Sequence, residues 1–162
     1  MPEPVQSVET TGLAWGVRSS FRRYVQRVAL GAAIPDGGVG SLPDGRFYFP
    51  VREVSVFDRD ALDAEVAFSG GVRFLGHAGM IDLRLGELEL GLTAGKGTLR
   101  TSARGGARDL VEVQVTQASA DDTLTALVLV SRLAAGAEEL FEDVYAAATT
   151  FDDLEVRVAV AR

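Results

Sequence analysis

Few side chains in this chain can do chemistry through a single reactive atom. There is one histidine, His77, three tyrosines, Tyr24, Tyr48 and Tyr145, and no cysteine. Without thiols there are no disulfides, thiolate metal sites, iron–sulfur clusters or cysteine nucleophiles. A single imidazole also excludes multi-histidine zinc sites and any mechanism that needs two imidazoles. The acids Asp82, Glu87 and Glu89 alternate with apolar residues, as the solvated face of a half-buried strand does, so a paired-carboxylate hydrolase has little support. His77 lies in GVRFLGHAGMIDL, bracketed by Gly76 and Gly79. A ligand or another backbone can approach closely there, or the imidazole simply satisfies a turn carbonyl. Tyr24 falls four residues after Ser20, on the stripe that carries Val17 and Phe21. Periodicity alone makes it an inward-pointing tyrosine whose hydroxyl finds one hydrogen-bond partner.

The elements that must position these groups are legible as patterns. Leu13, Val17, Phe21, Tyr24, Val25 and Val28 recur at spacings of three and four, which predicts an amphipathic helix over Leu13–Val28 with Gly31 as its stop. IPDGGVGSLPDG, Ile34–Gly45, reads as turns or a loop. Short β-type segments follow: Arg46–Phe49, Arg52–Phe57, Ala64–Phe68, Gly71–Gly76, Ile81–Leu85, Leu88–Leu92, Thr98–Ser102, Leu110–Thr116 and Thr123–Ser131. Ala137–Ala148 returns to helical spacing, and Leu154–Val160 alternates as a last strand. The expected fold is mainly β with two α-helices, an antiparallel sandwich or partly open barrel. Residues 1–11 are expected to form a flexible N-terminal segment and residues 12–162 one domain.

The 162 residues are 47% hydrophobic and 24% charged, enough for one sizeable core. A net charge of −7 disfavours nucleic acid and polybasic membrane contact as modes of action. The polar stretch after Met1 has neither the basic nor the apolar region of a secretory signal, and no apolar run approaches a bilayer span. If Met1 is native, the expected location is cytoplasmic. No nucleotide-binding glycine pattern stands between a strand and a helix.

Two motifs go further. LAWGVRSSFRRYV, Leu13–Val25, resembles the opening of the HtaA family, the haem transport-associated domains of actinobacterial haem uptake. GGVRFLGHAGMIDL, Gly70–Leu83, is similar to that family's second hallmark. Gly97-Thr98-Leu99 and LAAGAEELFEDVY, Leu133–Tyr145, resemble later family segments in the same order. The resemblance implies a haem-binding domain over residues 12–162, holding ferric haem b with Tyr24 as axial iron ligand and His77 supporting it. A phenolate is a hard anionic ligand suited to ferric haem. A free phenol ionises only near pH 10, so bound iron and an imidazole donor would together favour the charged form. Ser20 and Arg22 fall on the family's Ser-Phe-Arg positions and are candidates to meet the haem propionates. Val17, Phe21 and Met80 are candidate apolar ring contacts.

The implied role is carriage without catalysis, in haem uptake, transport or transfer. A haem donor such as haemoglobin or another carrier domain, and the haem-binding protein of a membrane uptake system, would be the partners. On the family's pattern, the chain would then be a fragment of an exported cell-surface protein. One rival is a peroxidase or catalase-like haem enzyme, since catalase also uses tyrosinate; it would lack a second histidine as distal acid and base. Another rival is a binder of a different apolar molecule in a β-rich cavity.

Overall fold

The computed structural model describes residues 11–103 and 106–159. The expected flexible segment, apart from Thr11, and the end of the last strand at Val160 lie outside the described residues.

A closed antiparallel barrel is built from β1 (Gly12–Trp15), β4 (Phe47–Asp58), β5 (Asp63–Phe68), β8 (Glu89–Thr93), β9 (Lys96–Ala103), β10 (Gly106–Ala120), β11 (Leu124–Leu133) and β12 (Thr150–Ala159). Neighbours run β1-β12-β11-β10-β9-β8-β5-β4, and β1 pairs with β4 as well as β12, which closes the ring. Leu13 stands opposite Phe49 on one side and Val156 on the other. Closure removes the exposed sheet edges that an open sandwich would leave. The two-residue β3 (Gly40–Ser41) adds to β4 outside the ring. A separate three-stranded sheet is ordered β2-β6-β7, from β2 (Ala32–Asp36), β6 (Gly71–Gly76) and β7 (Ile81–Gly86).

One core joins the two sheets. Trp15, Phe49 and Phe68 from the barrel and Phe74 and Leu85 from the small sheet are almost fully buried in the same cluster. Thr101 on β9 stitches them together at main-chain level, accepting from Gly86 N and donating to Gly86 O, each at 3.1 Å. A buried hydroxyl that both donates and accepts has its desolvation cost offset by those bonds.

The strands from Ala64 onward follow the sequence pattern, and the two expected helices are corrected. Leu13–Trp15 is strand: Leu13, Ala14 and Trp15 are all buried because β1 lies between two partners with core around it. Val17 then turns with φ 66°, and only Ser19–Arg23 is α-helix, here α1. Its axis continues as one π-helical turn, Tyr24–Val28. Ala137–Ala148 contains a 3-10 turn, Glu138–Phe141, that left-handed Glu142 and Asp143 (φ 56° and 59°) end. Its helical spacing reflects packing of Phe141 and Tyr145 on Phe21 and Phe151. The glycine-rich stretch after Ile34 includes the end of β2 and all of β3, so it is only partly loop. Arg46–Phe49 and Arg52–Phe57 are one strand, β4, that absorbs Pro50 and two register shifts as bulges.

Candidate functional site

The stem of the site is the junction between β1 and α1. Asp152 on β12 uses all of its polar groups there. Its N–H donates to Val17 O at 2.9 Å, and its carbonyl accepts from Trp15 Nε1 at 2.9 Å and Ser131 Oγ at 2.7 Å. Its carboxylate accepts from Ser19 N at 3.1 Å and Arg22 Nη1 at 2.8 Å. Arg22 Nη1 also donates to Gly16 O at 2.7 Å. Arg22 is therefore committed to holding the helix start, and it lies apart from the groove described below. Val17 is fully buried beneath the same junction.

From this base the helix reaches Tyr24, where the hydrogen bonding widens from α to π. Ala29 N donates to Tyr24 O at 2.9 Å. Single π turns of this kind recur at functional sites because they re-aim a side chain. Tyr24 is 40% exposed, so its phenol stands at a groove mouth, which corrects the inward orientation that spacing suggested.

The histidine arrives from the small sheet. β6 ends at Gly76, and His77–Gly79 forms a tight 3-10 turn with φ 49° at His77 and 55° at Ala78. Left-handed backbone at two consecutive residues with side chains is strained. His77 N donates to Ala29 O at 2.8 Å. Gly76 permits that approach, since a Cβ there would lie 2.7 Å from Ala29 Cβ. Gly31, just before β2, does the same, packed against Leu75 O with no room for a side chain. The result is a contact between residues far apart in the chain: Tyr24 Oη and His77 Nε2 are 3.0 Å apart, with the rings edge to face.

Around this pair lies a groove of about 650 Å³, within the ~300–1,000 Å³ usual for small-molecule sites. Its lining is mostly apolar. Phe21 stands between Phe74 on one side and Phe141 and Tyr145 on the other, with ring centroids 5.0 to 6.5 Å apart. Met80, Ile81 and Leu83 come from the histidine turn and β7, and Leu140 and Val144 from the far wall. Met80 is 80% exposed at the rim.

Polar groups are few. Asp82 lines the groove, but Arg73 holds it with two hydrogen bonds of 2.8 and 2.7 Å, and those bonds keep its carboxyl below the usual range. Ser20 and Arg18 also line it. Arg18 is the residue sequence reasoning missed. Its position depends on Tyr145 and Thr150, far along the chain, so no local pattern announces it. Of the expected site residues, Tyr24, His77, Ser20, Phe21 and Met80 share the groove; Val17 and Arg22 do not. Among the described residues no cluster of three or more His, Cys, Asp or Glu could hold a metal ion.

The HtaA family model matches residues 10–157. No curated protein of established function matches the sequence significantly. Among solved structures, the C-terminal domain of HtaA from Corynebacterium glutamicum has a TM-score of 0.83 at 20% identity, covering 93% of this chain and 96% of that one. The N-terminal domain of HtaA from the same organism has a TM-score of 0.78 at 22% identity, covering 94% and 99%. The heme binding protein HtaB of C. glutamicum has a TM-score of 0.68 at 15% identity, covering 93% and 94%. At these identities the structural likeness speaks for the fold.

Proposed function

The chain belongs to the HtaA family, and from that premise we propose that it binds ferric haem b in the groove above α1 and carries it without transforming it. One observation supports the reading most: an exposed phenol and the chain's only imidazole meet at 3.0 Å over an apolar groove. Tyr24 Oη would hold ferric iron, which, when bound, would supply a Lewis acid that favours the phenolate form.

The residues present fit that group. Tyr24 Oη is the ligand atom, anchored by α1 at one end and partnered by His77 at the other. With Tyr24 as phenolate, the His77 Nε2–H donates a hydrogen bond to Oη, which holds charge on the oxygen and fixes the ring. The backbone bond from His77 to Ala29 keeps the donor in place. Phe21, Leu83, Phe141 and Tyr145 supply an apolar surface for a flat macrocycle. A ligand site whose tyrosine is 40% exposed suits reversible loading and transfer between a haem donor and an uptake system's binding protein.

A peroxidase would need a second acid–base group near the iron, and no second histidine exists in the chain. The test is titration of ferric hemin into the wild type, Tyr24→Ala and His77→Ala, followed by Soret absorbance. The first variant should lose the tyrosinate spectrum and the second should bind more weakly with an altered one. A Tyr24→Ala protein with the wild-type ferric spectrum would refute the site.

A further inference from the structure

Leu30 is doubly unfavourable in a solitary chain. Its backbone is left-handed, with φ 51°, and its side chain is 85% exposed, more than any other large apolar residue described. A bulky side chain resists that dihedral, and a leucine left in water gains nothing from burial to offset the strain. Asparagine would suit both the dihedral and the solvent better. The bond from His77 N to Ala29 O sets Leu30 beside the turn that Met80 ends. Val28, at the end of the π turn, and Val144, on the facing wall of the groove, are exposed as well. Exposed apolar side chains gathered in this way mark an interaction surface.

The charges on the two lips of the groove have opposite signs. Arg23 and Arg27 flank Tyr24 on the helical lip, and Glu142 and Asp143 stand on the facing one. All four are exposed, and none forms an ion pair among the described residues, whereas Arg22, Arg46, Arg73 and Arg84 each sit against a carboxylate. A surface that is basic on one lip, acidic on the other and apolar between complements a copy of itself rotated by a half-turn. We propose that the mouth of the groove is the interface of a two-fold homodimer. Leu30 of each copy packs on the apolar rim of the other, and Arg23 and Arg27 of each copy face Glu142 and Asp143 of the partner subunit. Four apolar side chains make a small interface, so the dimer is weak, with a dissociation constant on the order of 10 μM. The apolar rim supplies the attraction, and the lip charges fix the orientation.

Sedimentation velocity on the chain without hemin, from about 1 to about 300 μM, brackets that constant and is read separately from any hemin titration. The wild type should pass from monomer to dimer across the range. Leu30→Asn should stay monomeric at its upper end, and as a monomer it should be at least as stable in urea as the wild type, because only the dimer needs the leucine. Arg27→Glu and Glu142→Arg should each weaken self-association about tenfold, since each sets like charges opposite one another at two symmetric places. An equal mixture of these two variants should associate as tightly as the wild type, because every altered charge then meets its opposite. A wild type that stays monomeric throughout would assign the rim to a different protein and overturn the proposal. So would a Leu30→Asn chain that dimerises normally or loses stability as a monomer, or a mixture no tighter than its components.

Discussion

The main-chain N–H of His77 donates to the carbonyl of Ala29 at 2.8 Å, one residue beyond the π turn that begins with Tyr24. The ring contact of 3.0 Å between Tyr24 and His77 is thus the second of two links between the same segments. Two side chains that met only through their tips would have to order both rotamers at binding; here the backbone holds their relative position beforehand.

Gly76 controls that link. Gly76→Val would place a Cβ 2.7 Å from Ala29 Cβ and push the end of β6 away from the π turn. The expected hemin spectrum is that of His77→Ala, with the circular dichroism of the fold retained. Gly40→Ala, which meets nothing within 4 Å, is the control and should behave as wild type.

Asp152 is the second control point. Asp152→Ala removes the acceptors of Ser19 N and Arg22 Nη1, and loss of such part-buried partners costs about 1–3 kcal/mol. Urea denaturation should show it. Asp152→Asn keeps one acceptor oxygen and should cost less, and both variants should weaken hemin binding because α1 loses its anchor.

Phe21 is 6% exposed and packs edge to face on Phe74 of the core and Phe141 of the groove wall. Truncation of such a phenylalanine costs about 3–5 kcal/mol. Phe21→Ala should therefore be less stable in urea than Asp152→Ala. Met80→Ala, at the exposed rim, should change stability by no more than about 0.5 kcal/mol.

Acid tests the small sheet. Hydrogen bonds from Arg84 hold the Asp36 carboxyl below its ordinary value of 3.8. A depressed folded value means that the pair stabilises above the unfolded value and is lost as pH falls through the lower, folded one. Amide protection on β2 should hold down to about pH 4 and fall below it. In Asp36→Asn protection should be lower at neutral pH, and that acid step should vanish in hydrogen exchange.

Strands with one partner face were legible because their alternation is local. β10, with Val111 and Val113 buried and Glu112 and Gln114 exposed between and after them, is an example. β1 was not: buried on every residue between β4 and β12, it shows no alternation, and its apolar residues merged with those of α1 into an apparent helix. In the site, Tyr24 and His77 were singled out by their motifs, but their proximity is a tertiary fact that no spacing encodes. Arg22 was favoured over Arg18 because position in a motif says nothing of Asp152, which engages Arg22 from the far end of the chain.

None of the groove's lining residues belongs to a barrel strand; they come from α1 and its π turn, the His77 turn with β7, and the segment around Phe141. The ring of hydrogen bonds that closes at β1 therefore stands apart from whatever enters or leaves. A guest can be exchanged at the outer shelf while the load-carrying wall of the molecule stays shut, so emptying the site and unfolding the protein are separate events, with separate energies.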